Sequence, residues 1–142
     1  MKILKYVFEN ERLGVVDGEV VTLDPELITC YFSLTVKATS LFEEEYGKPL
    51  INVLFKADKD EDISTGRFYR ALASCMYLEV DNGKVLQNEI TKEHFQDLEI
   101  YPAISNDLVF VSQLTDCAMQ CIDDQVKKST KNNKREEVPV KN

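Results

Sequence analysis

The stretch Leu34–Leu50, LTVKATSLFEEEYGKPL, holds the change of period that decides the fold. Before it, Ile28, Cys30, Phe32, Leu34 and Val36 occupy every second position, with Thr29, Tyr31, Ser33 and Thr35 between them. That alternation predicts a strand over 28–36 with one face on a core and the other toward water. From Val36 the spacing becomes helical. Val36, Leu41, Phe42 and Tyr46 share one face, and Glu43, Glu44 and Glu45 form a solvated edge. Gly47 suits the left-handed residue that closes a helix, and Pro49 suits the opening of the next.

Upstream of this junction the chain reads as β structure. Residues 2–8 predict a strand with Leu4, Tyr6 and Phe8 on one face, and the polar run Asn10–Gly14 predicts a turn. Asp17-Gly18 between two Val-containing runs is a hairpin signal. Asp24-Pro25 is expected to end that run, and the 28–36 strand to sit centrally in a sheet of three or four antiparallel strands. Downstream everything reads as helical. The spacing predicts helices over 37–46, 49–57 and 66–79, a turn at Asn82-Gly83, and a short helix capped by Thr91 with Ile90 and Phe95 as a hydrophobic staple. A last helix is expected from Asn106 or Asp107 to about Lys127. One of its stripes is Leu108, Val111, Thr115, Ala118 and Ile122, and the adjacent one is Phe110, Leu114, Cys117 and Cys121.

The fold class is therefore α+β: a small amino-terminal antiparallel sheet or hairpins followed by a mostly helical body. We expect one domain over residues 1–128, β-rich over 1–36 and helical over 37–128. The polar segment 129–142 is too poor in apolar residues to offset the entropy of ordering it, which predicts a disordered basic tail.

Composition narrows the function classes. A chain of 142 residues with 44% hydrophobic residues can build one real core. The net charge is −8; residues 127–142 contribute +4, leaving −12 on the rest. An acidic body argues against nucleic acid as a partner, since phosphate binding relies on Lys and Arg. No apolar run is long enough for a membrane span, and the amino terminus lacks a secretory pattern, so a cytoplasmic protein is expected. Cys30, Cys75, Cys117 and Cys121 form no C-x-x-C pair and read as small core residues.

Each chemical candidate has a plainer explanation. Asp58, Asp60 and Asp62 alternate as in a calcium loop, but the required Gly and bidentate Glu positions hold Ile63 and Tyr69, so a solvated loop is expected. Cys117 and Cys121 are four apart on a helix, and a zinc site would need Cys75 and His94 from other segments; a buried helix face explains the spacing without metal. His94 is the single histidine and has no nucleophile motif near it. The glutamates 43–45 form a helix edge, and the five glycines are not clustered into a phosphate loop. We therefore expect no catalytic, metal or cofactor site. Arg67, Phe68, Tyr69 and Arg70, with Tyr77, read equally as a partner-binding face and as an ordinary amphipathic helix with a basic edge; Tyr101 is a further aromatic candidate.

The junction carries the pattern T-x-K-A-x-x-L-F-E-E-x-Y-G-K-P-L, formed by Thr35, Lys37, Ala38, Leu41, Phe42, Glu43, Glu44, Tyr46, Gly47, Lys48, Pro49 and Leu50. With Ala71, Leu72, Met76 and Tyr77, and with Thr91, Glu93, Phe95 and Leu98, it resembles the tail assembly chaperones of long-tailed bacteriophages. The resemblance spans roughly residues 28–125. It implies a non-enzymatic protein that binds the helical, apolar tape measure protein, helps recruit tail tube subunits, self-associates and is absent from the finished particle. A frameshifted longer form is common in that family. The β region before Ile28 is longer here than the family requires. Rival readings are an adaptor or inhibitor module for another host or phage protein, and a small enzyme.

Overall fold

The computed structural model describes residues 2–55 and 66–140, with the side chains of Phe55 and of residues 130–140 outside the description. Two long strands, β1 (Leu4–Val16) and β2 (Glu19–Phe32), form one antiparallel hairpin. Asp17 and Gly18 turn it, with φ of 52° and 80° as the predicted turn requires. Helices α1 (Val36–Tyr46), α2 (Leu50–Phe55) and α3 (Gly66–Met76) follow. A second hairpin, β3 (Tyr77–Asp81) and β4 (Lys84–Leu86), then leads to α4 (Glu89–Gln96), a 3-10 turn (Tyr101–Asn106) and α5 (Leu108–Val140). The sheet order is β1-β2-β3-β4, so β2 is an inner strand as expected.

Several sequence expectations are corrected. No turn forms at Asn10–Gly14 and no break at Asp24-Pro25; both lie inside the hairpin. The register slips there, with Asn10 opposite Glu26 but Arg12 opposite Leu23. The extra residue falls on β2 around Asp24-Pro25, where a bulge tolerates the missing proline N–H. At Gly14 an added Cβ would stand 2.9 Å from Leu23 Cδ1, so the glycine lets Leu23 lie across its neighbour. β2 stops at Phe32, four residues before the expected end.

The third helix ends at Met76, and residues 77–86 are strands instead of helix and loop. The last residues of β2 recruit them, with Tyr31 opposite Leu78 and Phe32 opposite Tyr77. Asn82 and Gly83 turn the second hairpin, with φ of 51° and 78°. α4 is capped by Asn88, not Thr91; the Thr91 side chain completes a reciprocal capping box. Ile90 is exposed, so the expected staple does not form. α2 is described to Phe55, and the acidic run Asp58–Asp62 lies outside the described residues. The α5 backbone continues past the expected end at Lys127 to Val140, a stretch without glycine and with proline only at Pro139. The disordered-tail expectation falls mainly on residues whose side chains lie outside the description.

At the junction the helix, its Gly47 cap and the buried Leu41, Phe42 and Tyr46 form as read, but Val36, expected on the same face, is 72% exposed. Thr35 Oγ1 accepts the Ala38 N–H at 3.0 Å, and Gly47, at φ 79°, donates its N–H to the Glu43 carbonyl. Leu4, Phe8, Cys30 and Phe32 on one sheet face meet Phe95 and Phe110. Phe110 is the hub, with ring centroids 4.7 Å from Phe8, 5.0 Å from Tyr6 and 5.2 Å from Phe32. The α5 stripe of Phe110, Leu114, Cys117 and Cys121 is fully buried, whereas Leu108 on the neighbouring stripe is exposed. A second aromatic group, Phe42, Tyr46 and Phe68, closes α1 onto α3.

Candidate functional site: the outer face of the sheet

Pairing fixes which residues share a sheet face, because directly opposed side chains point the same way. Tyr31 opposes Lys5 and Leu78; Leu27 opposes Glu9; Val20 opposes Val15; Val80 opposes Val85. Along β1, Val7 and Leu13 fall in the same odd-numbered set as Lys5, Glu9 and Val15. This set is the face opposite Phe8 and Phe32. It carries Val7, Leu13, Val15, Val20, Leu27, Tyr31, Val80 and Val85, which are 40–71% exposed. Leu78 is the buried member of the set. The apolar members are interspersed with Lys5, Glu9, Thr22 and Thr29 on the same face, and a large group of exposed apolar side chains on one face marks an interaction surface more than scattered ones do.

The far half of the hairpin carries this further. From Arg12 to Leu23, β1 and β2 pair only with each other, and Val16 and Leu23 are exposed on the reverse face as well. A two-stranded ribbon with apolar residues on both sides and open edges is marginal in water by itself.

Beside the ribbon's root runs a groove of about 750 Å³, between β1 and residues 99–107. Glu9, Glu11, Glu99 and Asp107 bring carboxylates to it. The Tyr6 hydroxyl donates to Asp107 Oδ2 at 2.5 Å, and Asp107 Oδ1 accepts the Phe110 N–H at 3.0 Å, capping α5. Burial, that hydrogen bond and the charges of Asp107 and Glu9 push Tyr6 up to about 12. Asn10 Nδ2 donates to Glu99 at 3.0 Å. No salt bridge among the described residues involves these carboxylates.

The residues singled out from the sequence are not gathered on one surface. Phe68 is wholly buried. Tyr77 is half-buried on β3, its ring 4.9 Å from Phe95. Tyr69 packs on the Phe68 ring, and Tyr101 on Phe95. Arg70 Nη1 donates to Ser105 Oγ at 3.2 Å. Arg67 alone is exposed, with its guanidinium 4.5 Å over the Tyr46 ring. The basic-aromatic segment is therefore mainly the buried face of α3 and its anchors. Phe68 as a surface contact is corrected, because reaching it would open the core.

The cysteines are all buried and free. Cys117 and Cys121 Sγ lie 3.7 Å and 3.5 Å from the Lys2 carbonyl oxygen, which also accepts from Ser33 Oγ at 2.8 Å. Their spacing ties the amino terminus to α5. Burial pushes Cys30 up to about 11 and Cys75 up to about 12, and burial with the neighbouring Cys121 pushes Cys117 up to about 12. Such thiols stay protonated at neutral pH and are poor nucleophiles. His94 Nδ1 sits 3.0 Å from the Glu79 carboxylate. Among the described residues, no three metal-ligating side chains converge, and no helix is long and apolar enough to cross a membrane.

Sequence reasoning missed Gln87. Its Nε2 donates to the carbonyls of Ser33 and Cys75, both at 3.2 Å, and its Oε1 accepts from Thr35 Oγ1. With Ser33 N–H donating to Met76 O at 3.0 Å, it locks the strand–helix junction to the end of α3. A lone glutamine after a short strand carries no sequence signal of that role. The outer face was also missed as a site, since most of its apolar residues precede Ile28, where the sequence pattern predicts a turn at Asn10–Gly14 and a break at Asp24-Pro25.

No family model matches this chain, and neither does any curated protein or solved structure.

Proposed function

We propose that this protein is a non-enzymatic tail assembly chaperone of a long-tailed bacteriophage. It binds and solubilises the tape measure protein in the host cytoplasm and helps recruit tail tube subunits around it. The observation that carries this reading is the group of exposed apolar side chains on the outer sheet face, extended by a ribbon with apolar residues on both sides. A chaperone for a long apolar partner needs such a surface. The resemblance carried by Thr35–Leu50 supports the same reading. The net charge of −8 keeps copies apart until a partner gathers them. Many weak copies along one long chain gain affinity by multivalency, and self-association along that partner is part of the proposal.

Co-expression with the tape measure protein of the same genome tests it, followed by size-exclusion chromatography with light scattering. The expected result is a tape measure protein insoluble alone and soluble in a large complex with several copies of this chain. A tape measure protein that stays insoluble beside an unchanged chain would overturn the proposal.

A further inference from the structure

The exposed strip on the outer sheet face is long and narrow. From the Lys5–Tyr31 pair to the Val15–Val20 pair, β1 advances ten residues, or roughly 33 Å at ~3.3 Å per residue. Two strands side by side are about 10 Å wide. Those are the dimensions of an α-helix of about 22 residues, which is roughly 33 Å long and 10–12 Å across.

Charge separates the possible occupants. The hairpin, residues 4–32, carries six carboxylates and the two cations Lys5 and Arg12, a net of −4. Glu9 and Glu11 belong to the outer-face set itself, between Val7 and Leu13. On the outer face itself the charges are Glu9 and Glu11 against Lys5, so a second copy laid there would bring the same excess of carboxylate against it, and like charges across an interface are costly. A helix with an apolar stripe and Lys or Arg along its flanks meets both demands.

We infer that the outer face of the sheet is the seat of an amphipathic, basic-flanked helical segment of the partner, one segment of about 22 residues per copy. The inference rests on the assembly-chaperone reading and names the surface and the partner chemistry it uses. The apolar stripe packs on Val7, Leu13, Val15, Val20 and Leu27. The flanking cations reach Glu9 and Glu11.

The test uses the full chain and two fluorescent synthetic peptides of about 22 residues with the same leucine stripe, one lysine-flanked and one glutamate-flanked. Fluorescence anisotropy is expected to show binding of the lysine peptide, weakening with salt, and little binding of the glutamate peptide. The pair Val15→Glu and Val20→Glu should weaken the lysine peptide at least about tenfold. The pair Val15→Thr and Val20→Thr, which keeps strand propensity, should weaken it in the same direction. Reversing Glu9→Lys and Glu11→Lys should shift preference to the glutamate peptide. Equal binding of both peptides, or unchanged binding by the valine variants, would overturn the inference. So would a wild-type dimer that these variants convert to monomer while no peptide binds, since the face would then belong to a second copy. If the valine variants still solubilise the tape measure protein, this face is retired and the chaperone reading survives. If wild type binds the lysine peptide but leaves the tape measure protein insoluble, the chaperone reading falls and the helix seat stands.

Discussion

The root and the tip of the β1–β2 hairpin share one alternating pattern and have opposite fates. At the root, Phe8, Cys30 and Phe32 lie under α4 and α5 and are buried. At the tip, Val16 and Leu23 on that same face are 54% and 40% exposed, and no third strand pairs beside them. Both ends are equally apolar in sequence, so hydrophobic content alone does not say where a core is. What differs is the presence of a second layer. A molecule that keeps a row of β-branched and leucine side chains in water holds surface free energy available for binding.

The sharpest way to break the comparison is to remove a side chain at each end. Phe110→Ala takes away the hub against which Tyr6, Phe8 and Phe32 pack, and should cost about 3–5 kcal/mol in urea denaturation. If that variant unfolds at the wild-type midpoint, the root is not the stabilising end.

Raising pH probes the same end chemically. Tyr6 and Tyr77 are each raised from 10.0 to about 12, first by burial. A folded pKa above the unfolded one means that the contribution is complete below pH 10 and is lost as pH rises through about 12. The melting temperature should therefore hold to about pH 9 and fall across pH 10–12, together with the absorbance change of tyrosinate. A flat melting temperature across that window would contradict the burial of these phenols.

Gln87→Ala is expected to cost about 1–3 kcal/mol, because it leaves two carbonyls at the strand–helix junction without their donor. Amide hydrogen exchange should quicken first at Ser33, whose N–H bonds across the same junction. The smallest effect is assigned to the tip: Val15→Thr with Val20→Thr should change stability by no more than about 0.5 kcal/mol per site. A loss as large as that of Phe110→Ala would show that the tip is already packed in solution.

Much of the fold was legible in local pattern. The change of period at Val36, the Gly47 cap, the Asp17-Gly18 turn and the buried α5 stripe of Phe110, Leu114, Cys117 and Cys121 all follow from spacing and from which residues accept positive φ. Less of the site was legible. Arg67–Arg70 drew attention as an aromatic and basic cluster, yet Phe68 is core, since helical spacing places it beside Leu72 and Cys75 on the buried face.

By itself the sequence determined the element types around the junction, the hairpin turns, the acidic balance and which side chains alternate on one face. These are local properties, set by backbone sterics, periodicity and charge count. Only the tertiary structure decided that Tyr77–Asp81 pairs with the end of β2 and that Gln87 ties three segments together. It also decided that helices cover the Phe8–Phe32 face and leave the Val7–Val15 face open. Alternation says that two faces exist; coverage depends on where distant segments come to rest, and that is settled by packing across the whole chain.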